Sequence, residues 1–251
     1  MSEPARAKLS SDDLLVRARE LIGSAAEAGL TMRLLGGIAV YALAESAHRP
    51  PLARTYRDFD VAVPSKQGLA ASRILLARGF APDKHFNALH GARRMIFTAQ
   101  EGYAVDVLIG TFEMCHRLDI QSGFTQHDLT IAPADLLLTK MQIVRIESKD
   151  LADAAALLLD LQPAESGSIE IGRFVSPLAE DWGFFHTVDL NLARLRGYAT
   201  ATLPESGPSV VEGRISELAD AMEAAPKTMK WKLRARVGER VSWYDMPEEI
   251  G

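Results

Sequence analysis

The stretch Arg57-Asp58-Phe59-Asp60-Val61-Ala62-Val63 determines how the rest of the chain is interpreted. Its alternation predicts a β-strand that carries Asp58 and Asp60 on one face and large apolar side chains on the other. Two neighbouring carboxylates repel each other, and a divalent cation such as Mg²⁺ would compensate for that repulsion. The stretch therefore predicts either a metal site on a strand or an edge strand with two solvated acids.

The composition is that of an ordinary globular protein. The 251 residues are 47% hydrophobic and 24% charged, which is enough for one large domain or two modest ones. A formal net charge of −5 disfavours a wholly basic nucleic-acid surface and still permits a local basic patch. Cys115 is the single cysteine, so no intramolecular disulfide can form, which fits a reducing cytoplasm. The sequence has neither a signal-peptide core nor a membrane-spanning run, so we expect a cytoplasmic protein without a membrane partner.

Upstream of the acidic strand, the pattern predicts a strand, two glycines and a helix. Residues 31–35 form a short apolar run, Gly36 and Gly37 follow, and an alanine-rich helix is expected over 38–47. Glycine lets the backbone approach a ligand closely, and the N–H groups at a helix N-terminus attract phosphate. Taken alone, the Gly-Gly pair is explained more simply by a tight strand-to-helix turn.

Downstream, residues 103–109 repeat the arrangement of the acidic strand. Aliphatic side chains lie on one face and Asp106 lies on the other. A strand over 93–99 precedes this one, and residues 100–102 form a weak hairpin signal between them. Residues 81–92 are predicted to be a polar loop.

The remainder of the chain is predicted to be mainly helical. A short strand is expected at 128–132, and Pro133 is well placed to open a helix that continues to residue 146. A second helix is expected over 149–161, and further helical periodicity begins at Ile169. We therefore predict an α+β fold with a domain over 1–132 and an all-helical domain over 133–251.

As a set, these residues resemble the active site of the DNA-polymerase-β-like nucleotidyltransferase superfamily: Gly36, Gly37, Asp58, Asp60 and Asp106. The resemblance implies a nucleotidyltransferase-type mixed twisted sheet flanked by helices, with three carboxylates on adjacent strands. It implies that Asp58 and Asp60 hold two Mg²⁺ or Mn²⁺ ions and that Asp106 completes the ion that activates the acceptor. Two such ions would hold the triphosphate of ATP or another NTP and stabilise phosphoryl transfer.

A second resemblance lies in the helical half. The stretch 138–142, followed by Arg145 and by 149–153, is similar to the downstream motif of the abortive-infection toxin branch of the superfamily, which comprises type IV toxin–antitoxin proteins. That resemblance implies that Lys140 and Arg145 approach the phosphates, with a solvated helix face as the alternative. For the two aspartates of the motif, a structural role is favoured over a catalytic one. The helical domain would then select the nucleotide and the acceptor.

Together, these features predict a metal-dependent nucleotidyltransferase. It would move a nucleoside monophosphate from an NTP to a hydroxyl of a tRNA end, a protein or a small molecule. The toxin-branch resemblance adds the expectation of an antitoxin partner. The alternative is a protein of the same fold that binds a nucleotide or RNA without chemistry.

Overall fold

The computed structural model describes residues 9–166 and 168–245, which fall into two compact units. The first unit contains the described residues up to Ala42, together with Thr55–Phe112 and Asp119–Ile131. The second contains Leu43–Arg54, Glu113–Leu118 and the described residues from Ala132 onwards. The chain therefore enters the second unit twice, through short segments, before Ala132.

The first unit is built on a mixed β-sheet. Its strands are β1 (Arg33–Leu35), β2 (Asp58–Val63), β3 (Ala81–Pro82), β4 (Arg94–Thr98) and β5 (Ala104–Ile109). In the described residues these strands form one five-stranded sheet in the order β1-β2-β5-β4-β3. The β2–β5 pair is parallel, whereas the other neighbouring pairs are antiparallel. The helices of this unit are α1 (Ser11–Glu27), α2 (Gly36–Leu43, which ends at the unit boundary), α3 (Gly68–Ala77) and α4 (Lys84–His90).

The two acidic strands bury the side chains that the alternation predicted. Phe59, Val61, Val105 and Val107 have no solvent-exposed surface, so β2 and β5 contribute one continuous apolar face to the core. Helix α1 adds buried leucine and alanine side chains at helical spacing, and its N-terminus is closed by a capping box that begins at Ser10. The centre of the sheet, where the acids lie, is therefore backed by buried apolar side chains.

The segment 81–92, predicted to be a loop, is instead β3 followed by α4. Asp83 caps α4 by accepting a hydrogen bond from the Phe86 N–H, and the Phe86 side chain is buried. Asn87 exchanges two hydrogen bonds with the backbone of Ile96 on β4. The prediction was wrong because side-chain contacts to the sheet, which have no signature in local periodicity, stabilise this seven-residue helix.

Further boundaries differ from the prediction. Helix α2 spans Gly36–Leu43, whereas a helix was expected over 38–47. The expected strand at 128–132 is reduced to a single parallel bridge between Leu34 and Thr130. Helix α5 (Pro133–Met141) ends five residues before the predicted residue 146. Its early end has a tertiary cause, because the Asn191 side-chain amide donates to the carbonyls of Met141 at 2.8 Å and Ile143 at 2.9 Å.

The second unit is mainly helical. After α5 it contains α6 (Ser148–Asp160), α7 (Ile171–Glu180), α8 (Trp182–Thr202), α9 (Gly207–Ala224) and α10 (Met229–Val237). The remaining strands are the two-residue segments β6 (Phe112–Glu113), β7 (Arg117–Leu118), β8 (Pro163–Ala164) and β9 (Ile169–Glu170). Within the described part of the chain, no helix combines the length and the apolar character needed to cross a membrane. The α+β class, with a mixed sheet flanked by helices and a helical C-terminal region, is confirmed.

A buried histidine lies in the core of the second unit. The His116 ring stacks on Phe184 at 5.0 Å between centroids, and its Nε2 lies 2.8 Å from the Thr187 hydroxyl. Burial lowers the pKa of His116 to about 4, against the weaker opposing influence of Asp181 and Asp245. The imidazole is therefore neutral in the folded protein at neutral pH.

This shift predicts a pH-dependent stability. The unfolded chain takes up the His116 proton near pH 6.5 and the folded chain only near pH 4, so protons favour unfolding across that interval. The contribution is complete above pH 6.5, and about 3 kcal/mol of unfolding free energy is lost as the pH falls to 4. The free energies of unfolding of wild type and His116→Gln, measured with urea, should therefore converge as the pH falls. The value for His85→Gln, at an exposed position, should follow that of wild type throughout. A wild-type-to-His116→Gln difference that does not vary with pH would contradict the assignment.

Candidate functional site

Asp60 and Asp106 lie opposite each other on adjacent parallel strands. The register of β2 and β5 pairs Asp60 with Asp106, and residues paired in this way carry their side chains on the same face of the sheet. Asp58, two residues earlier on that face, is exposed, whereas Asp60 and Asp106 are half-buried. The structure therefore brings two of the predicted carboxylates side by side and places the third at one end of the pair.

Gly36 lies directly against the carboxylate of Asp60. Leu35, the last residue of β1, is in register with Asp60, and Gly36 begins α2 with a φ of +70°. A Cβ atom on Gly36 would lie 1.9 Å from Asp60 Oδ2, which is an impossible non-bonded approach. The backbone conformation therefore favours glycine here, and a larger residue would also displace the Asp60 carboxylate.

The N-terminus of α2 places a positive partial charge near the Asp60 carboxylate. The first N–H groups of a helix have no partner within the helix and carry its positive partial charge. The carboxylate of Asp60 therefore lies close to the N-terminus of α2, next to Gly36. Gly37 is the second residue of α2 and is half-buried. Phosphate binding by the two glycines stays a prediction.

Arg94 is the residue of this site that sequence reasoning missed. Its Nε donates to Asp106 Oδ1 at 2.9 Å and to Oδ2 at 2.8 Å, and its Nη2 also donates to Oδ2. The hydrogen bonds to Asp106 raise the pKa of Arg94, and the negative charges of Asp106 and Asp60 act in the same direction. The hairpin at residues 100–102 carried a usable signal, because its register puts Arg94 diagonally across from Asp106 on the same face.

The donor atoms suit a hard divalent cation. Asp58, Asp60 and Asp106 offer carboxylate oxygens, the ligands that Mg²⁺ and Mn²⁺ prefer. Among residues 9–166 and 168–245, however, no group of three or more His, Cys, Asp or Glu side chains is arranged to hold a metal ion. The Arg94 guanidinium engages both oxygens of Asp106 in this conformation. The predicted metal site therefore has the right chemistry, and its occupation stays a prediction.

Lys140, in the second unit, belongs to a buried ion-pair cluster. Its Nζ lies 2.9 Å from Asp153 Oδ2 and 3.6 Å from Asp150 Oδ1. Arg54 donates to the other side of Asp153, from Nε at 2.9 Å and from Nη2 at 2.7 Å. Lys140, Asp150 and Asp153 are all buried. The structure thus gives both aspartates of the downstream motif partners inside the protein, and phosphate contact by Lys140 stays a prediction.

Arg145 lies outside the helix on which it was expected. It is an exposed residue in the turn between α5 and α6, because α5 ends at Met141. The adjacent carbonyl of Val144 accepts a hydrogen bond from Arg194 Nη1 at 3.1 Å, which helps to fix that turn. Placement of Arg145 on the helix was therefore wrong, while its contact with phosphate stays a prediction.

No protein-family model matches the chain, and no curated protein sequence matches it. Solved structures do match, among them an antigenic nucleotidyltransferase-like protein from Paracoccidioides brasiliensis. That protein is 15% identical to this chain, and the alignment covers 88% of this chain and 97% of that one with a TM-score of 0.43. At this identity and TM-score the likeness supports no functional conclusion, so interpretation of the site depends on its own residues.

Proposed function

We propose that this protein is a metal-dependent nucleotidyltransferase. The observation that carries the proposal is the register of Asp60 with Asp106 on parallel strands, with Asp60 packed against Gly36 at the start of α2. A carboxylate pair beside a helix N-terminus combines a cation-binding group with a phosphate-binding one. That combination is what transfer from a nucleoside triphosphate requires.

In the proposed reaction, each part of the site has a separate task. Asp58, Asp60 and Asp106 would hold Mg²⁺ or Mn²⁺, which supplies positive charge for the triphosphate and activates the acceptor hydroxyl. The N–H groups of the first turn of α2 would face the phosphates. The acceptor hydroxyl releases its proton to solvent as its oxygen bonds to the α-phosphorus of ATP or another NTP, the α–β phosphoanhydride bond breaks, and pyrophosphate leaves.

The acceptor and the biological role extend this proposal. The motifs that resemble the abortive-infection branch favour a hydroxyl of a tRNA end or a protein over a small molecule. By the same resemblance, the protein would be the cytoplasmic toxin of a toxin–antitoxin pair, and a cognate antitoxin would be its partner.

One observation favours a second candidate, a non-catalytic nucleotide- or RNA-binding protein. Asp106 already has a counter-charge in Arg94, which donates to both of its oxygens. A site in which Arg94 never leaves Asp106 would keep the helix N-terminus for phosphate and lack one metal ligand. Such a protein would bind an NTP without turnover.

Transfer of label from an NTP tests the two candidates. The protein is incubated with Mg²⁺ or Mn²⁺, each α-³²P-labelled NTP, and bulk tRNA or cell extract. We expect the wild type to label an acceptor and Asp58→Asn, which lacks a proposed metal ligand, to lose most of that labelling. Asp58 is exposed, so its substitution leaves the core intact. Calorimetric NTP binding without any labelling would support the binding protein and would reject the enzyme.

A further inference from the structure

The ion pair between Arg94 and Asp106 lies at the centre of the proposed metal site. Arg94 is on β4 and reaches diagonally across to β5, so that its guanidinium lies on the same face as the two register-paired carboxylates. The Arg94 side chain is 41% exposed and that of Asp106 is 19% exposed. Arg94 is thus the more exposed partner of the pair, and its guanidinium also lies 5.7 Å from the centroid of the buried Phe86 ring.

The charges of this cluster are balanced by Arg94. Asp60 and Asp106 are adjacent like charges, and the cost of holding them together falls when a cation lies between or beside them. The negative charges of Asp106 and Asp60 both raise the pKa of Arg94, so its guanidinium interacts with both carboxylates. Arg94 thus already performs the electrostatic task for which a divalent cation was predicted.

A divalent cation that took the carboxylate lone pairs now used by the Arg94 guanidinium would have to displace it. Arg94 donates to Oδ1 and to Oδ2 of Asp106, so both oxygens that a metal ion would use have a partner. A guanidinium and a metal ion bound to the same carboxylate would also repel each other. The resident guanidinium therefore opposes metal binding at Asp106, through the lone pairs it occupies and through its charge.

We propose that Arg94 is a resident counter-cation that competes with divalent metal for Asp106 and so sets the metal affinity of the site. This inference depends on the proposed function, because it concerns the same carboxylates. Arg94 is accordingly a positioning residue, which acts through Asp106. The competing explanation is a purely structural clip between β4 and β5, which would affect stability and leave metal affinity unchanged.

Titration with Mn²⁺ alone, followed by calorimetry, tests the proposal without any substrate. Arg94→Gln removes the competing charge and is expected to bind Mn²⁺ about tenfold more tightly than wild type, the size of a partly exposed charge-assisted pair. Arg94→Lys keeps the charge and loses the forked geometry, so its affinity should lie between those two. Arg93→Gln, which removes the same formal charge one residue away, should bind like wild type.

The outcomes separate this inference from the proposed function. Thermal unfolding without metal first establishes which variants are folded. If Arg94→Gln is unfolded, Arg94→Lys serves as the test. Mn²⁺ binding that is equal to or weaker than wild type in the folded Arg94 variants would overturn the competition while leaving the metal site in place. An absence of Mn²⁺ binding in wild type and in every variant would overturn both. Tighter binding in Arg94→Gln that Asp106→Asn abolishes supports the proposal.

Discussion

Substitution of Gly36 with alanine is expected to reduce nucleotidyl transfer about a thousandfold, as much as substitution of Asp60 with asparagine. The new Cβ would lie 1.9 Å from Asp60 Oδ2, so the carboxylate must leave its position beside Asp106. Under the proposed mechanism, a displaced carboxylate would no longer hold the metal ion that stabilises the transition state, and a loss of about 4 kcal/mol corresponds to the expected factor. The effect should appear in kcat, because the reacting geometry is lost even where nucleotide still binds.

Gly29 provides a matched control. Its φ is +74°, close to that of Gly36, and a Cβ there would meet nothing within 4 Å. Gly29→Ala should therefore show only the backbone cost of the left-handed conformation, about 1–2 kcal/mol of unfolding free energy, with transfer activity retained. Steady-state transfer assays and urea unfolding of Gly36→Ala, Gly29→Ala and Asp60→Asn separate strain from displacement of the carboxylate. Equal activity in the two glycine variants would refute the role assigned to the contact.

The centre of the sheet could be predicted because its sequence pattern is strong. Alternation over Asp58–Val63 and again over Ala104–Ile109 fixes which side chains are buried, and the acids follow on the opposite faces. Both strands carry an acid within an apolar run, but the juxtaposition of Asp60 and Asp106 was expected only from the family resemblance, because local alternation does not specify which strands pair or in which register. Gly36 could be placed next to this site, although its reason for being glycine, the carboxylate of Asp60, depends on the register of β1.

The partners of charged residues could not be predicted in the same way. Arg94 belongs to the site because of the hairpin register, and Arg54 reaches Asp153 across 99 residues of sequence. The hairpin register indicates which face Arg94 lies on, but nothing local shows that either arginine is paired, since a solvated arginine and a paired one look alike in a sequence. The early end of α5 has a similar origin, because Asn191 captures carbonyls at its C-terminus.

Removal of the Asp153 carboxylate is expected to destabilise the second unit severely. The Asp153 side chain is 2% exposed and accepts hydrogen bonds from Arg54, while Lys140 Nζ lies 2.9 Å away. In Asp153→Ala, the cations of Lys140 and Arg54 lose this carboxylate. Asp150, 3.6 Å from Lys140, is then the remaining carboxylate of the cluster. Breaking a buried pair from one side typically costs about 3–5 kcal/mol, and we expect a loss of that size in the free energy of unfolding.

The cluster offers two internal controls for this prediction. Asp160→Ala, at an exposed position on the same helix whose carboxylate accepts from the Ser46 N–H and hydroxyl, should cost only about 1 kcal/mol. The double variant Asp153→Leu/Lys140→Met removes a carboxylate and a cation together, so it should be less destabilised than Asp153→Ala. Denaturant unfolding of all three proteins at pH 7 measures these differences. A loss in Asp153→Ala no larger than that in Asp160→Ala would show that the buried ion pairs contribute little, because water or rearrangement of Arg54 and Lys140 then compensates for the missing charge.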